Sequence, residues 1–407
     1  MQLNKVEVKV ATRDTDFVGL KIKNDIAKII FPIGYNIDEG MYVLSDEKNI
    51  NNISEDFLNL MRVLENVPTG YYDSGEIKFN FSSAIDIMKN YLLHGLYKEQ
   101  DDATILEYGG KINWKETIIN VKPILWNHSI VYPEFYMNKN CNIDSFITKI
   151  QKFCINYINL ILWWMYGTNK GVVFKEIDMH MKVDQMIYEL NRKLYEVNDD
   201  YSKKVINDMI LFLNGTKVVD LSSNEEICIG RKYFDKIWER QLRCQIYSEF
   251  EKSEDAYPTT YYVLDGKNKI VNNSLIPDIV FKVDDLLIII DAKYYMIGTY
   301  PKSSDICKQI FYERYLRKKY KKIVNIFILP GNLKDNFEIK GYALAEGFDD
   351  DSKVKLCYLD TKSVLRNKNA LIGLIKKIIY RWNECIIIMK LMKQNIDGYI
   401  LYLNMKD

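Results

Sequence analysis

Two aspartates and a lysine in one short segment are the residues of this chain best suited to chemistry. Pro277-Asp278 is followed thirteen positions later by Asp291-Ala292-Lys293, and the residues between read as two apolar strands joined by a tight turn. Residues two apart on a strand point to the same face, so Asp291 and Lys293 are expected to emerge side by side. Two carboxylates and an ammonium at one sheet edge suit a divalent metal and a phosphodiester better than a protein core.

Phosphodiester hydrolysis needs charge stabilisation on the phosphate and a nucleophilic water, and Mg²⁺ provides both. The ion binds a few carboxylates plus waters. Asp278 and Asp291 are the predicted carboxylate ligands, and the carbonyl of Ala292 is a neutral third. Lys293 is predicted to orient the attacking water or to stabilise the pentacovalent phosphate. The alternative is that both aspartates merely end strands and that Lys293 pairs with one of them.

Two predicted helices add candidates on either side of this segment. Glu239 lies at the margin of the apolar stripe of a helix over Tyr233–Phe250, from which an acid can approach the metal. Gln309 lies on a helix over Ser304–Tyr320 and is predicted to bind water or phosphate. A solvated glutamate and ordinary packing are the respective alternatives.

Basic residues of the second helix are predicted to contact DNA phosphates. The alternative is that positive residues near a helix C-terminus complement the helix dipole. The predicted DNA contacts are Lys308, Arg314, Arg317 and Lys318.

Length and composition describe a folded protein of more than one domain. The chain has 407 residues, 48% of them apolar and 27% charged, which excludes a disordered protein. The net charge of +1 gives no support for nucleic-acid binding by the chain as a whole, so a DNA enzyme needs a local basic patch or a partner that supplies affinity.

Cysteine and histidine usage excludes several kinds of site. Seven cysteines are scattered singly without a C-x-x-C pair, which argues against disulfides and zinc and predicts a reducing cytoplasm. Three widely spaced histidines argue against a multi-histidine metal site or a Ser-His-Asp triad. The N-terminus has no signal-peptide core, and no apolar run reaches about 18 residues, so no membrane span is predicted.

The pattern of apolar residues divides the chain into three regions: an α+β region over 1–140, a helical region over 141–220 and a third region over 221–407. The first region is predicted to hold strands at Val6–Val10, Phe17–Ile22, Ala27–Phe31, Lys111–Val121 and Ser129–Phe135. Helices are predicted at Ser54–Leu64 and from a cap at Ser82 or Ser83 to about Tyr97. The second is predicted to include helices at Asp178–Val197 and Tyr201–Leu213.

The third region is predicted to be a small mixed sheet flanked by helices, an α/β arrangement. Beyond the two acid-bearing strands and their flanking helices, strands are expected at Thr260–Leu264, Ile323–Leu329 and Val354–Leu359, and a long helix at Lys362–Leu391.

These residues resemble the PD-(D/E)XK nuclease superfamily and, more narrowly, the LlaJI family of restriction endonucleases, relatives of McrC. Weaker similarity lies in Phe17–Leu20, Phe31–Tyr35 and Lys111–Trp114. The stronger match is carried by Phe234–Glu239, Pro277-Asp278, Ile290–Tyr295, Asp305–Tyr312 and Phe327–Pro330.

The resemblance implies a PD-(D/E)XK core in the third region and a Mg²⁺-dependent cut in double-stranded DNA within a restriction-modification system. It also implies a separate McrB-like GTPase subunit of the AAA+ class that binds DNA and drives cleavage. The chain contains no G-x-x-x-x-G-K-[ST] loop, so a motor would be another chain. A modification-dependent or repair nuclease on the same core, and a non-catalytic interaction subunit with a degenerate nuclease fold, stay open as alternatives.

Overall fold

The computed structural model describes most of the chain. The described residues are 5–12, 17–23, 26–43, 45–65, 79–106, 111–143, 145–166, 174, 182–216, 227–253, 261–264, 267–270, 275–296, 298–347, 352–366 and 369–380.

Seventeen strands and nine α-helices are assigned within these ranges. The strands are β1 Lys5–Val10, β2 Phe17–Lys23, β3 Ile26–Phe31, β4 Gly40–Val43, β5 Glu99–Leu106, β6 Lys111–Ile112, β7 Ile124–Trp126, β8 Ser129–Val131, β9 Tyr136–Ile143, β10 Ile227–Lys232, β11 Tyr261–Leu264, β12 Lys267–Ile270, β13 Ile279–Val283, β14 Leu286–Ala292, β15 Lys322–Gly331, β16 Phe337–Ala343 and β17 Val354–Asp360. The helices are α1 Glu47–Glu65, α2 Phe81–His94, α3 Trp114–Asn120, α4 Phe146–Leu162, α5 Val183–Glu196, α6 Asp200–Gly215, α7 Phe234–Tyr247, α8 Ser303–Leu316 and α9 Thr361–Leu365. Residues 370–380 are also helical, and a 3-10 turn lies at Trp163–Tyr166.

The chain forms two compact units, one of them discontinuous in sequence. One unit combines residues 2–76 with 226–407, and the other holds residue 1 and residues 77–225. The sequence-based division at 140 and 220 does not follow this grouping, because the first strands belong with the C-terminal part of the chain.

The discontinuous unit contains a five-stranded mixed sheet of order β13-β14-β15-β17-β16, here called the C-terminal sheet. The predicted hairpin is present: β13 and β14 pair antiparallel, with Asp284 and Asp285 in the turn. β14, β15 and β17 run parallel, and β16 closes the edge antiparallel. Every residue of Leu286–Asp291 is buried, as expected for a central strand covered on both faces.

Helices cover the two faces of the C-terminal sheet. α8 makes the crossover between the parallel strands β14 and β15 and packs Tyr312 and Leu316 against Leu287 and Ile289. α7 lies against the other face, where its aromatic residues contact Tyr294 at the end of β14. Because side chains alternate along the strand direction, Lys293 contacts Asp305 of α8, whereas the next residue, Tyr294, contacts α7.

A second five-stranded sheet in the same unit has the order β10-β2-β3-β1-β4 and is here called the N-terminal sheet. β10 follows the other unit in sequence and pairs antiparallel with β2 from the start of the chain. Because this pairing joins residues about two hundred positions apart, no local pattern predicts it.

The unit of residues 77–225 packs α2, α4, α5 and α6 together. A three-stranded sheet of order β5-β9-β6 and the β7-β8 hairpin accompany the helices. The C-terminal part of α4 buries Ile155, Ile158, Ile161 and Leu162.

Three predicted elements differ from the structure. The strand predicted at Ser129–Phe135 is a strand only over β8, Ser129–Val131, and the next strand, β9, begins at Tyr136. The segment Lys111–Val121 is a strand only at β6, because Asn113 caps α3 by accepting a hydrogen bond from the Glu116 N–H at 3.1 Å. The predicted long helix from Lys362 is interrupted after α9 and resumes over 370–380, and its predicted continuation to Leu391 lies outside the described residues. No described helix is long and apolar enough to span a membrane.

Candidate active site

Asp278 and Asp291 lie opposite each other at the end of the β13-β14 hairpin. Ile279 pairs with Ile290, so the next position of each strand carries an aspartate. Asp278 Oδ2 accepts a hydrogen bond from the Ala292 N–H at 2.8 Å, which fixes this carboxylate against β14. Asp291 is only 3% exposed. The hairpin therefore presents two carboxylates side by side, one buried and one half-buried.

Lys293 is held between two carboxylates. Its Nζ lies 2.8 Å from Asp291 Oδ2 and 3.0 Å from Asp305 Oδ1, the latter on α8. The other oxygen of Asp305 accepts a hydrogen bond from the Tyr295 hydroxyl at 3.4 Å. The backbone N–H of Lys293 donates to the Ile328 carbonyl of β15 at 2.8 Å. Both the backbone and the ammonium of this lysine are thus fixed.

Negative charge accumulates at the carboxylate pair. Burial, followed by the charges of Asp291 and Glu239, raises the pKa of Asp278 to about 7, against the opposing effects of the Ala292 N–H and Lys293. Burial also raises the pKa of Asp291 although Lys293 lies beside it. These carboxyls are therefore more easily protonated than free aspartates, and a bound cation would favour their ionised forms.

The charged state of Lys293 is strongly favoured. Burial alone lowers the pKa of its ammonium, but Asp291 and Asp305 outweigh burial and raise the pKa above its usual value. Burial similarly raises the pKa of Asp305, but the hydrogen bond from Lys293 outweighs it and holds that pKa below the ordinary range. The Lys293–Asp305 pair is therefore fully ionised at neutral pH.

Glu239 lies on the helix beside this pair. It lines the same cavity as both aspartates, and its charge contributes to the raised pKa of Asp278. Glu239 forms an ion pair with Arg243 one turn later, and Arg243 Nε donates to the Asp278 carbonyl at 3.2 Å. Arg243 thereby anchors α7 to the strand that carries the first aspartate.

A cavity of about 600 Å³ opens over these groups. Its walls carry four acidic and four basic side chains: Asp235, Glu239, Asp278 and Asp291, with Lys236, Lys293, Lys302 and Lys308. Thr12, Val18 and Ile33 of the N-terminal segment also line it. Four tyrosines, Tyr233, Tyr294, Tyr295 and Tyr300, complete much of the remaining wall.

The structure places Gln309 in the core and corrects the prediction that it faces the site. Its side chain is fully buried, and its Nε2 donates to the Ile326 carbonyl at 3.5 Å. The neighbouring Lys308 lines the cavity instead, because consecutive helix residues are rotated by about 100°. The charge of Lys308 acts to lower the pKa of Asp291.

The other predicted DNA contacts lie near the end of α8, away from the cavity lining. Arg317 Nη2 pairs with the buried Glu313 at 2.7 Å, so this arginine has a structural partner. Arg314 and Lys318 are exposed. Their contact with DNA stays a prediction.

The sequence analysis assigned no role to Arg243, to Asp305 or to the N-terminal residues that line the cavity. The spacing of Arg243 four residues after Glu239 is the signal for their pair. Asp305 was visible as an acid at the start of the helix after the lysine. Nothing local marks Thr12, Val18 or Ile33, since their place at the cavity depends on the pairing of β2 with β10.

The oxygen atoms of this site fit Mg²⁺. Among the described residues, no group of three or more His, Cys, Asp or Glu side chains forms a metal cluster by itself. Asp278, Asp291 and the Ala292 carbonyl supply only oxygen ligands, and Mg²⁺ typically takes one or two carboxylates and keeps several waters. Burial raises the pKa of Asp278, and the nearby charges of Asp291 and Glu239 raise it further, so a cation placed between these carboxylates would be stabilised by them.

One of three comparisons with known proteins identifies a family. The profile of a protein family described as LlaJI restriction endonuclease matches residues 17–362. A solved structure of Thermococcus gammatolerans McrB AAA+ hexamers with bound McrC contains a chain that is 11% identical to this one. The match covers 88% of this chain and 83% of that one, with a TM-score of 0.36, too low to support an argument about the fold. A search of curated proteins finds no match.

Proposed function

This chain belongs to the LlaJI restriction endonuclease family, and from that premise we propose that it is a Mg²⁺-dependent endonuclease that hydrolyses phosphodiester bonds of double-stranded DNA. The observation that carries the proposal is the geometry around Lys293. Its ammonium lies within 3.0 Å of Asp291 and Asp305, and Asp291 stands opposite Asp278 at the mouth of one cavity.

Asp278, Asp291 and the Ala292 carbonyl would hold the metal in this proposal. Mg²⁺, when bound, supplies positive charge to the phosphate and lowers the pKa of a coordinated water. The Ala292 N–H holds the Asp278 carboxylate in place by a hydrogen bond. Arg243 Nε holds the backbone of Asp278 by donating to its carbonyl. Glu239 adds negative charge on the helix side, where it acts as a further acid near the metal.

Lys293 stabilises charge and does not accept the proton of the attacking water. Its raised pKa keeps the ammonium protonated at neutral pH, so it is a donor only. A fixed positive donor beside the carboxylates can bind a phosphate oxygen and favour the pentacovalent transition state. Asp305 orients the ammonium from the other side.

We also propose a restriction-modification role with an McrB-like GTPase subunit of the AAA+ class as partner. The near-neutral charge of the chain supports this, since a partner would supply DNA affinity that this chain does not have in its overall charge. The resemblance of the site residues to McrC relatives is the other support.

The direct test is plasmid cleavage in Mg²⁺ by the wild type, Lys293→Ala, Asp278→Asn and Asp291→Asn, each with and without the ATPase or GTPase encoded beside its gene. Matched controls lie on the same hairpin: Lys282→Ala changes an exposed lysine, and Asp285→Asn changes an aspartate that is 85% exposed. We expect the controls to cleave like the wild type and the three site variants to lose at least about a hundredfold in rate.

Ligation of the cleaved ends by DNA ligase without end repair would agree with 5′-phosphate and 3′-hydroxyl products. Cleavage that needs the partner and its nucleotide would support the McrC-like assembly. Equal cleavage by Lys293→Ala and the wild type would contradict the role of the lysine. No cleavage under any condition, with no Mg²⁺ binding by the wild type, would favour a non-catalytic subunit.

A further inference from the structure

Aromatic side chains surround the candidate active site in a way that phosphodiester hydrolysis does not require. Tyr233 is 58% exposed and Tyr300 is 64% exposed, yet both line the cavity with the aspartates. Tyr295 lines it as well, with its hydroxyl bound to Asp305. Exposed tyrosine rings at a concave site offer flat faces for stacking, and every nucleobase has a matching face.

Tyr233 adopts a backbone conformation that bulky residues avoid. Its φ is 55° and its ψ is 52°, in the left-handed region, at the position directly before α7. The side chain of Tyr233 makes no capping hydrogen bond to the helix that would account for this conformation. Strained conformations of this kind concentrate at binding sites, where the surrounding fold maintains them. Here the strained residue places its ring at the wall of the cavity.

Three lysines of the same wall are available to an anionic ligand. Lys236, Lys302 and Lys308 line the cavity, and none has a carboxylate within ion-pair distance in the part of the chain that the structure describes. Lys293 is different, because Asp291 and Asp305 already bind it. Lys308 Nζ lies over the Tyr312 ring, 5.7 Å from its centre, a contact that leaves the charge without a counter-ion. Rings for bases and ammonium groups for phosphates are the two components of a site for a nucleic acid strand.

A fully paired duplex does not use such a wall. Its bases are stacked on one another, so a protein surface meets phosphates, sugars and base edges but not base faces. The tyrosine faces become useful only when a nucleotide has left the stack. The cavity, at about 600 Å³, is within the range of about 300 to 1,000 Å³ typical of small-molecule sites, so it has room for an extruded nucleotide.

We propose that this cavity binds an unpaired nucleotide next to the scissile phosphate, with Tyr233 and Tyr300 stacking on bases and Lys236, Lys302 and Lys308 contacting phosphates. The inference rests on the proposed nuclease function, because a scissile phosphate exists only if the chain cleaves DNA. It deepens that function by naming the substrate class. The favoured substrate is DNA with a locally opened strand.

The test compares two fluorescently labelled DNAs of the same length and sequence, one fully paired and one with three mismatched base pairs in the middle. Binding by the full chain is measured by anisotropy in EDTA, where no cleavage occurs, and cleavage is then measured in Mg²⁺. Tyr233→Leu and Tyr300→Leu remove the ring, and the corresponding Phe variants keep it. Tyr342→Leu is the control, because Tyr342 is 56% exposed on β16 and does not line the cavity.

We expect the wild type to bind the opened DNA more tightly than the paired DNA. Each Leu variant should lose about tenfold in affinity for the opened DNA and little for the paired DNA, and the Phe variants should retain the wild-type affinity. Equal affinities for the two DNAs would overturn the proposal, as would Leu variants that match the Tyr342→Leu control or a wild type that binds neither DNA.

The two proposals fail differently. Ring-dependent binding of opened DNA without cleavage in Mg²⁺, both with and without the neighbouring ATPase or GTPase and its nucleotide, would leave the nucleotide-binding cavity standing and contradict the nuclease. Equal binding and cleavage of paired and opened DNA, unchanged in Tyr233→Leu and Tyr300→Leu, would support the nuclease and contradict the nucleotide-binding cavity.

Discussion

The backbone N–H of Ile33 donates a hydrogen bond to the Tyr294 hydroxyl at 2.7 Å, across 261 residues of sequence. The carbonyl of Ile33 accepts a second hydrogen bond, from Thr361 Oγ1 at 3.0 Å. Tyr294 directly follows Lys293 and packs against Phe234 and Trp238. The segment after β3 is therefore bound to the residue adjoining the candidate catalytic lysine, and it forms part of the cavity wall.

Tyr294→Phe tests this connection. The variant keeps the ring but removes the acceptor for the Ile33 N–H, which leaves a buried donor without its partner. We expect the free energy of unfolding to fall by about 1 to 3 kcal/mol, measured by urea denaturation of the full chain. Tyr300→Phe, at an exposed ring of the same wall, should change it by much less. Identical unfolding curves for both variants and the wild type would show that the bond does not contribute.

Gly34→Ala should be more damaging than an ordinary glycine substitution. Gly34 has φ +73°, and a Cβ there would lie 2.8 Å from the Gly331 N and 2.9 Å from Thr361 Oγ1. Backbone strain and steric overlap together should lower the free energy of unfolding by about 2 to 4 kcal/mol.

Gly298→Ala is the matched control for this substitution. Gly298 also has a positive φ, +88°, but open space surrounds the position of its Cβ. Strain alone should cost it about 1 kcal/mol. Equal losses from the two variants would mean that contact with Gly331 and Thr361 contributes nothing.

Asp305→Asn separates orientation of the lysine from metal binding. The substitution removes one of the two carboxylates that bind the Lys293 ammonium. In the wild type, Asp305 Oδ2 also accepts a hydrogen bond from the Lys302 N–H at 3.1 Å, and the amide oxygen of asparagine can still accept it. We expect the cleavage rate at saturating Mg²⁺ to fall by roughly 10- to 100-fold because the ammonium is less well placed.

The Mg²⁺ concentration for half-maximal cleavage should change little in Asp305→Asn. It should rise strongly in Asp291→Asn, which removes a proposed ligand, and Asp285→Asn should resemble the wild type. A large shift in the Mg²⁺ requirement of Asp305→Asn would instead indicate that Asp305 acts in metal binding.

The part of the candidate site whose arrangement the sequence predicted is local. Asp278, Asp291 and Lys293 lie on one hairpin, and the two-residue period of a strand places them on one edge once the turn is recognised. Gln309 is buried in the core although its neighbour Lys308 lines the cavity, because consecutive residues of a helix are rotated by about 100°. Lys308 and Asp305, which are three apart, are the residues that face the site.

The remaining wall of the site depends on pairings between distant segments. Val18 reaches the cavity from β2, which pairs with β10 beyond the whole unit of residues 77–225. Local apolar patterns predicted the ends of β1, β2 and β3 to within about two residues. These patterns carry no information on which strands pair. The division at 140 and 220 differs from the observed units for this reason.

Asp208 in the other unit gives a prediction about pH. It lies on α6, its Oδ2 is buried without a hydrogen-bond partner in the described part of the chain, and burial together with Asp86 raises its pKa to about 6. A raised carboxyl pKa means that ionisation is harder in the folded state than in the unfolded state. Asp208 therefore makes a contribution to the stability of the folded state that is lost as the pH rises from about 4 to about 7.

Asp208→Asn removes this loss. We expect the variant to be more stable than the wild type by about 1 to 2 kcal/mol above pH 7, less than the full value of the pKa shift because the side chain is partly solvated. The difference should shrink toward zero below about pH 4, where Asp208 is protonated in both states. Thermal unfolding of the full chain between pH 4 and pH 8 measures it, with Asp200→Asn on the exposed first turn of α6 as the control. A stability difference that does not change with pH would show that the carboxylate charge is not its cause.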